Sequence, residues 1–81
     1  MCRIKCEHVM DGPGPQEQVV RVKQATGVYE EVIASRSSIS QNMLETSSVL
    51  ARDDGKVLIE LPRESASGKW RLWINSADTQ G

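Results

Sequence analysis

Short runs of β-forming residues alternate with turn residues along most of the chain. The runs 18–24 and 28–35 are rich in valine and flank an Ala-Thr-Gly turn at 25–27, a pattern that predicts a β-hairpin. The segment 11–15 has the sequence Asp-Gly-Pro-Gly-Pro and is the strongest break in the pattern. We therefore expect a loop at 11–15 and an ordered hairpin after it.

A second hairpin is indicated by the Asp-Asp-Gly turn at 53–55, which stands between two β-rich runs. A three-residue loop with its glycine left-handed would pair Val49 with Ile59 and keep the apolar side chains on one face. A two-residue loop would instead pair Asp53 with Lys56 and break up that face. The cross-strand apolar pairs therefore favour the three-residue loop.

The last strand is predicted over 69–74, where Lys-Trp-Arg-Leu-Trp-Ile is a run of strong β formers. Alternation of side chains along this strand sends Trp70 inward and Trp73 outward. Trp70 is thus expected at the centre of the core. The other expected core residues of this region are Leu72, Ile74, Val57, Ile59 and Leu61.

The serine-rich stretch 35–48 has no clear period, and we expect a polar loop that carries a short strand or at most one short helical turn near 38–45. Five or six short strands separated by turns are typical of a mostly β fold, here a small antiparallel barrel or sandwich. The order of the elements is similar in pattern to SH3-like barrels. The acidic and aromatic peptide-binding motifs of SH3 domains are absent, and no internal repeat is evident.

The chain of 81 residues has room for one domain with a thin core. We expect a single β domain over 16–76, preceded by a partly flexible segment at 1–15 and followed by a flexible tail at 77–81. A deep pocket is not expected in so small a domain.

Charge narrows the classes of partner. Ten basic and eleven acidic residues leave a net charge of −1, whereas nucleic-acid-binding domains usually carry a basic excess. A charge so near zero does little to oppose self-association. No segment approaches the roughly 20 apolar residues of a membrane helix, and the first residues lack the apolar run of a secretory signal. A cytoplasmic protein without a membrane segment is expected.

A metal site is the first chemical hypothesis, because residues 3–10 are expected to form a strand with Ile4, Cys6 and His8 on one face. Cys2 would lie on the same side. Zinc needs four ligands, and the chain contains two cysteines and one histidine. No metal and no cofactor are therefore expected. Cys6 is expected to pack in the core as a small apolar residue, and Cys2 to lie in a mobile terminus.

No complete catalytic constellation is evident. His8 is the only imidazole, and the nucleophile-elbow pattern Gly-x-Ser-x-Gly is absent. The neighbours Glu30 and Glu31 are expected on opposite faces of a strand, and Asp53 and Asp54 are expected to form a turn. The sequence therefore favours a binding or assembly module over an enzyme.

The expected binding surface is an apolar patch of Trp73, Leu58 and Leu50 on the outer face of the last strands, with Arg71 beside it. A contiguous apolar patch that contains tryptophan indicates an interface, here with another protein or a second copy of the chain. The N-terminal strand or the stretch 35–48 could cover the patch instead. The alternative function is a small-barrel nucleic-acid-binding protein that uses Trp73 and neighbouring Arg and Lys side chains.

Overall fold

The computed structural model describes residues 2–47 and 49–80. This part of the chain forms ten strands and two 3-10 turns. The strands are β1 (Cys2–Lys5), β2 (Glu7–Asp11), β3 (Glu17–Lys23), β4 (Tyr29–Ser35), β5 (Ile39–Ser40), β6 (Met43–Thr46), β7 (Val49–Asp53), β8 (Lys56–Glu60), β9 (Arg71–Asn75) and β10 (Thr79–Gln80). The 3-10 turns are Arg36–Ser38 and Ser76–Asp78.

The strands pair into three antiparallel sheets. The first meander is β2-β3-β4, the second meander is β7-β8-β9, and the central sheet has the strand order β10-β1-β6-β5. The prediction of a mostly β fold is confirmed. Across the described residues, strand pairing does not join the three sheets into one closed barrel.

All three sheets contribute side chains to one core. Buried residues alternate with more exposed ones along β1, β4, β6, β8 and β9, as expected when one face of a sheet packs and the other meets solvent. Strands β2 and β7 contain no buried residue. Each fully buried aliphatic side chain stabilises the fold by roughly 1.5–3 kcal/mol. The side chains with less than 2% exposure are Ile4, Leu44, Ile59, Leu72, Ile74, Val20, Val22, Val32 and Val57. The predicted burial of Leu72, Ile74, Val57, Ile59 and Leu61 is confirmed.

The predicted central position of Trp70 is wrong, because this side chain is 52% exposed. The strand begins one residue later, at Arg71. Trp70 lies in a bend before it, and its carbonyl accepts a hydrogen bond of 2.8 Å from the Leu61 N–H. The alternation of side chains holds only within a strand, so it does not reach Trp70.

The first predicted hairpin is confirmed. β3 pairs with β4 in unbroken register from Glu17 opposite Ser35 to Lys23 opposite Tyr29. The predicted loop before it is also present, and the Gly12 N–H donates to the Glu17 carbonyl at 3.0 Å. A Cβ atom at Gly12 would lie 2.8 Å from the backbone carbon of Glu17, so this close approach requires glycine.

The predicted three-residue loop of the second hairpin is wrong. Asp53 pairs directly with Lys56 across a two-residue turn. Asp54 and Gly55 both have positive φ angles, 47° and 77°. These are the angles of a type I′ turn, whose twist matches that of the flanking strands.

Val49 nevertheless pairs with Ile59, as predicted. The register shifts between Val49 and Ala51, where Leu50 is an extra residue in a β-bulge. The tight turn and the apolar cross-strand pair are thus both satisfied, because the bulge absorbs the difference of one residue.

The serine-rich stretch forms a 3-10 turn at 36–38 and then the short β5-β6 hairpin, rather than a helical turn within 38–45. The Ser35 hydroxyl caps the 3-10 turn by accepting from the Ser37 N–H. Gln41 and Asn42 turn the hairpin with φ angles of 54° and 62°. A second 3-10 turn near the C-terminus makes two such turns where at most one was expected.

The core extends beyond the expected domain limits of 16–76. Residues 2–11 form two strands instead of one, because the strand is interrupted at Cys6. β1 lies between β10 and β6, and its Ile4 is completely buried. Cys2 is buried as well, and Thr79 pairs with Ile4. The flexibility expected for the two ends stays a prediction.

The fold consists of two halves with the same order of elements, which the sequence analysis missed. The first half (residues 2–40) comprises β1 to β5, and the second half (residues 43–80) comprises β6 to β10. Each half contains a four-residue strand of the central sheet, a meander, a 3-10 turn and a two-residue strand of the same central sheet. Each half also gives that last strand to the other, since β5 pairs with β6 and β10 pairs with β1.

The correspondence between the halves holds at the level of residue pairs. The pair Ile4–Thr79 corresponds to the pair Leu44–Ile39. Leu44 comes forty residues after Ile4, and Ile39 comes forty residues before Thr79. β2, the second strand of the first half, has a bulge between His8 and Met10. β7, the second strand of the second half, has the corresponding bulge between Val49 and Ala51. Corresponding residues of the two halves are 39 to 41 residues apart, because the loops differ in length. This variable spacing hides the repeat in the sequence.

Candidate functional site

The outer face of the second meander carries an apolar row across its three strands. Leu58 in β8 lies opposite Trp73 in β9. Their neighbours along the strands point into the core, so Leu58 and Trp73 face outward. Trp73 is 37% exposed, Leu50 is 43% exposed and Leu58 is half-buried. We call Leu50, Leu58 and Trp73 the outer patch.

The bulge changes how Leu50 joins this row. The three-residue loop expected for this hairpin would have put Leu50 directly opposite Leu58, but the partner of Leu58 is Ala51. In a bulge two residues of one strand oppose one residue of the other, so Leu50 and Ala51 together face Leu58. The row therefore gains one apolar residue, Ala51, that sequence reasoning did not include.

Charged side chains flank the outer patch along β8. Lys56 and Glu60 stand two residues on either side of Leu58 and therefore share its face. Arg71 lies opposite Glu60, with 3.4 Å between Nε and the carboxylate oxygen. Arg71 is thus beside the apolar row, and its charge is already matched by a neighbour.

A loop of the same chain lies beside the corresponding face of the first meander. The outward residues of that face, Val9, Val19 and Ile33, occupy the positions of Leu50, Leu58 and Trp73, and all three are half-buried. A cleft of about 230 Å³ separates Val19 and Ile33 from the loop residues Glu64, Ser65 and Ala66.

Two contacts hold that loop in place. The Ala66 N–H donates to the Glu31 carbonyl on the edge strand β4 at 2.9 Å. Arg63 forms an ion pair of 2.8 Å with Glu17, which is on the outer face of β3. The loop between β8 and β9 therefore lies against the first meander.

The opposite loop, between β3 and β4, has the same local form but is shorter. The segments Gln24–Val28 and Ser65–Lys69 have the same pattern of backbone hydrogen bonds. In each segment the fourth residue is a glycine with positive φ. The Ala25 N–H donates to the Trp73 carbonyl at 2.8 Å, as Ala66 does to the first meander. One residue separates Val22 from Gln24 on this side, whereas three separate Leu61 from Ser65. The outer patch thus lacks a counterpart of Arg63 and Glu64.

A buried carboxylate anchors the longer loop. Both serine hydroxyls, of Ser65 and Ser67, donate to one oxygen of Glu30, at 2.8 and 2.7 Å. The Lys69 ammonium lies 3.9 Å from the other oxygen. The hydrogen bond from Ser67 lowers the pKa of Glu30 most, Ser65 and Lys69 lower it further, and burial opposes them. The charged carboxylate fixes the loop to β4. Sequence reasoning did not find this cluster, whose members are far apart in the chain.

A shallow groove of about 510 Å³ is lined mainly by residues of the first half, together with Asn42 and Asp78. Arg21 stacks on the Tyr29 ring at 4.5 Å and pairs with Glu7 at 2.6 Å. Lys5 is 4.0 Å from Asp78, so acidic groups offset the basic ones. Hydrogen bonding to Glu7 raises the pKa of Arg21. The groove therefore offers an aromatic ring among matched charges rather than a basic surface.

The cysteines and the histidine do not lie on one common face, contrary to the expectation from the sequence. Cys2 and Cys6 are buried free thiols, and burial raises the pKa of Cys6, which disfavours the thiolate that metals bind. The His8 side chain is 54% exposed and does not share the buried face. Within residues 2–47 and 49–80, no group of three His, Cys, Asp or Glu side chains has the arrangement of a metal site.

Glu30 is buried while Glu31 is exposed, as predicted for neighbours on a strand. Of the two aspartates expected in the turn, Asp54 lies in it and Asp53 is the last residue of β7. No helix in the described part of the chain is long and apolar enough to cross a membrane. Comparison with protein-family models, with curated proteins and with solved structures found no match.

Proposed function

We propose that this protein is an interaction or assembly module rather than an enzyme, and that the outer patch is its binding surface. The observation that carries the proposal is the contrast between two corresponding faces. On the first meander residues 63–66 of the chain lie beside this face and its outward residues are half-buried, whereas on the second meander Leu50 and Trp73 are exposed and Leu58 is half-buried.

The chemistry of the patch supports this proposal. Interfaces are enriched in tryptophan and arginine, and their energetic centres are apolar residues surrounded by a polar rim. Trp73 and Leu58 are adjacent at the centre of the face, and Lys56, Glu60 and Arg71 surround them. The surface therefore has the composition of a small docking site.

The finer architecture and the location belong to the same proposal. The three sheets share one core, and we describe the arrangement as a small open barrel or sandwich, similar in pattern to SH3-like barrels. A cytoplasmic location is expected for the protein and its partner. Fractionation of cells of the source organism, with an antibody against the chain, tests the location.

Site-specific photo-crosslinking in the source organism tests the proposed binding surface. A photoreactive amino acid at Leu50, which is 43% exposed, should give a discrete crosslinked protein. The matched control is Met10, an exposed residue beside the corresponding bulge of the first meander. Crosslinks from both positions alike, or from neither, would contradict the proposal.

Nucleic-acid binding through Trp73 is the alternative function, with less support. The cations nearest the patch have acidic partners, since Arg71 lies opposite Glu60 and Lys56 lies opposite Asp53. Affinity for mixed RNA and DNA measured at two salt concentrations separates the two functions. Nucleic-acid binding should weaken steeply as the salt concentration rises, because phosphate contacts release counterions.

A further inference from the structure

We infer that the partner at the outer patch is a second copy of this chain, joined in a symmetric dimer with the two second meanders face to face. This inference rests on the proposed function and names the occupant of the same surface. The argument comes from the order of charged and apolar residues along β8 and from the symmetry that a dimer imposes.

The outward residues of β8 form a self-complementary series. Lys56, Leu58 and Glu60 follow one another on the same face, positive, apolar and negative. Leu58 is at the midpoint, and the two charges are equally far from it along the strand. A strand with this pattern matches a second copy of itself when the two run in opposite directions.

A two-fold axis in the plane between two facing sheets has two simple orientations. If the axis runs along the strands, Lys56 faces Lys56 of the second copy and Glu60 faces Glu60, which is repulsive. If the axis runs across the strands through Leu58, Lys56 faces Glu60 of the second copy twice. The apolar rows then lie on each other, with Leu58 against Leu58 and Trp73 against Trp73. Within each copy Lys56 also lies opposite Asp53, and Glu60 pairs with Arg71, so these two charges already have partners. Of the two orientations, the antiparallel one alone puts unlike charges of β8 on each other.

The area of the outer face of the second meander limits the affinity of the dimer. Three strands of five residues present a surface of about 14 by 17 Å, from strand spacings of about 4.8 Å and a rise of about 3.3 Å per residue. This area is well below the roughly 800 Å² per partner of a standard stable interface. The dimer is therefore weak and depends on concentration. The net charge of −1 adds little repulsion between copies.

Charge reversal tests this arrangement directly. Because the dimer is symmetric, Lys56→Glu and Glu60→Lys each turn both attractions between the copies into repulsions, and each should weaken self-association about tenfold or more, as like charges do across an interface. Mixed in equal amounts, the two variants should form a heterodimer, because a chain with two acidic residues then faces a chain with two basic residues. The double variant Lys56→Glu/Glu60→Lys should dimerise with itself again.

Sedimentation equilibrium from about 10 μM to about 1 mM measures the association, over the range where Kd values of weak complexes lie. Melting curves establish whether each variant is folded. If a charge-reversed variant does not fold, the glutamine variant at the same position, Lys56→Gln or Glu60→Gln, is measured in its place. Glu45→Lys, on the exposed face of β6, is the matched control and should associate like the wild type.

A monomeric wild type throughout this range would overturn the inference, and so would mixed variants that stay monomeric. These results leave the proposed function intact if position 50 crosslinks to a different protein. If position 50 crosslinks to nothing, the proposed function fails with it.

Discussion

Val49 lies opposite Ile59, although the two-residue turn between their strands would not pair these two residues in an unbroken ladder. Counting from the pair Asp53–Lys56, an unbroken ladder would set Leu50 against Ile59. The bulge at Leu50 restores the apolar pair and leaves the Leu50 side chain exposed. The bulge thus allows both the two-residue turn, which the backbone favours, and the apolar pair Val49–Ile59, which the core favours.

Replacement of Gly55 should show how much the turn contributes to stability. Its φ of 77° strains an L-residue, while an added Cβ would meet nothing within 4 Å. Gly55→Ala should therefore cost about 1–2 kcal/mol of unfolding free energy through the backbone alone. Asp54→Gly, at the other left-handed position, is the control and should be neutral or stabilising. Urea unfolding measures both, and an unchanged Gly55→Ala variant would argue against the two-residue turn.

The β5-β6 turn offers a stabilising change. Gln41 and Asn42 both adopt positive φ, where asparagine followed by glycine is the preferred pair. Gln41→Asn together with Asn42→Gly should raise the free energy of unfolding by about 1 kcal/mol, since it relieves the left-handed strain. Thermal melting would show the gain. A loss of stability would mean that the Gln41 side chain makes a contact that outweighs the strain.

The anchor at Glu30 should make stability depend on acid pH. The pKa of Glu30 is lowered from its ordinary value of 4.5, so the charged form is favoured in the folded state. Its contribution is present above the unfolded pKa and is lost as pH falls through the lower folded pKa. Glu30→Gln should therefore flatten the fall in melting temperature from about pH 5 to about pH 3.

The exposed neighbour gives the control for this measurement. Glu31→Gln removes the same charge from the solvent-facing side of β4 and should leave most of the pH dependence in place. Ser67→Ala should act like Glu30→Gln in part, because Ser67 contributes most to the lowered pKa. Equal pH profiles for the two glutamate variants would refute the anchor.

Truncation of the two tryptophans should leave the fold intact. Trp70 is 52% exposed and Trp73 is 37% exposed. Trp70→Ala and Trp73→Ser should each lower stability by about 1 kcal/mol or less, the range for surface positions. Ile59→Val removes one methylene from a fully buried side chain and should cost about 0.5–1.5 kcal/mol. If Trp70→Ala unfolds the protein, the exposed position of this side chain is wrong.

The two-fold relation between the halves predicts a functional circular permutant. Arg3 pairs with Gln80, so a short glycine-rich linker can join Gln80 to Cys2. New ends between Gln41 and Asn42 then open the corresponding turn. The permutant should keep the far-ultraviolet spectrum and melt near the wild type, whereas opening the chain between Leu58 and Ile59 should abolish folding.

The strands could be predicted from the sequence because their evidence is local. Period-two alternation and turn residues located β3, β4 and β9 to within two residues, whereas the single strand expected over 3–10 is divided into β1 and β2. The failure at Trp70 came from carrying the alternation past the end of a strand, where the chain bends. The hairpin failed because its register depended on a bulge, which leaves no mark in a pattern of apolar and polar residues.

The candidate site was only partly accessible to the same reasoning. Alternation along β8 and β9 put Leu58 and Trp73 on the expected face, but whether a face is covered depends on a loop from the other half. One signal was present in the sequence. The strings Ala25-Thr26-Gly27 and Ala66-Ser67-Gly68 stand 41 residues apart and mark corresponding turns. Had they been matched, the longer loop that lies beside the first meander could have been located.

The exchange of strands between the halves affects how the chain must be made. During synthesis β1 can pair with β6 once Thr46 has emerged, but its other edge waits for β10. The next thirty-four residues, up to Gln80, take about 2–7 seconds at a translation rate of about 5–20 residues per second.

For that interval the nascent protein presents an unpaired strand, the kind of edge at which polypeptides aggregate. Its outward residues are Arg3 and Lys5. Two positive charges on so short a strand hinder pairing with the same strand of a neighbouring nascent chain, because like charges would face each other. These two charges thus hinder misassembly at this edge until β10 has been made.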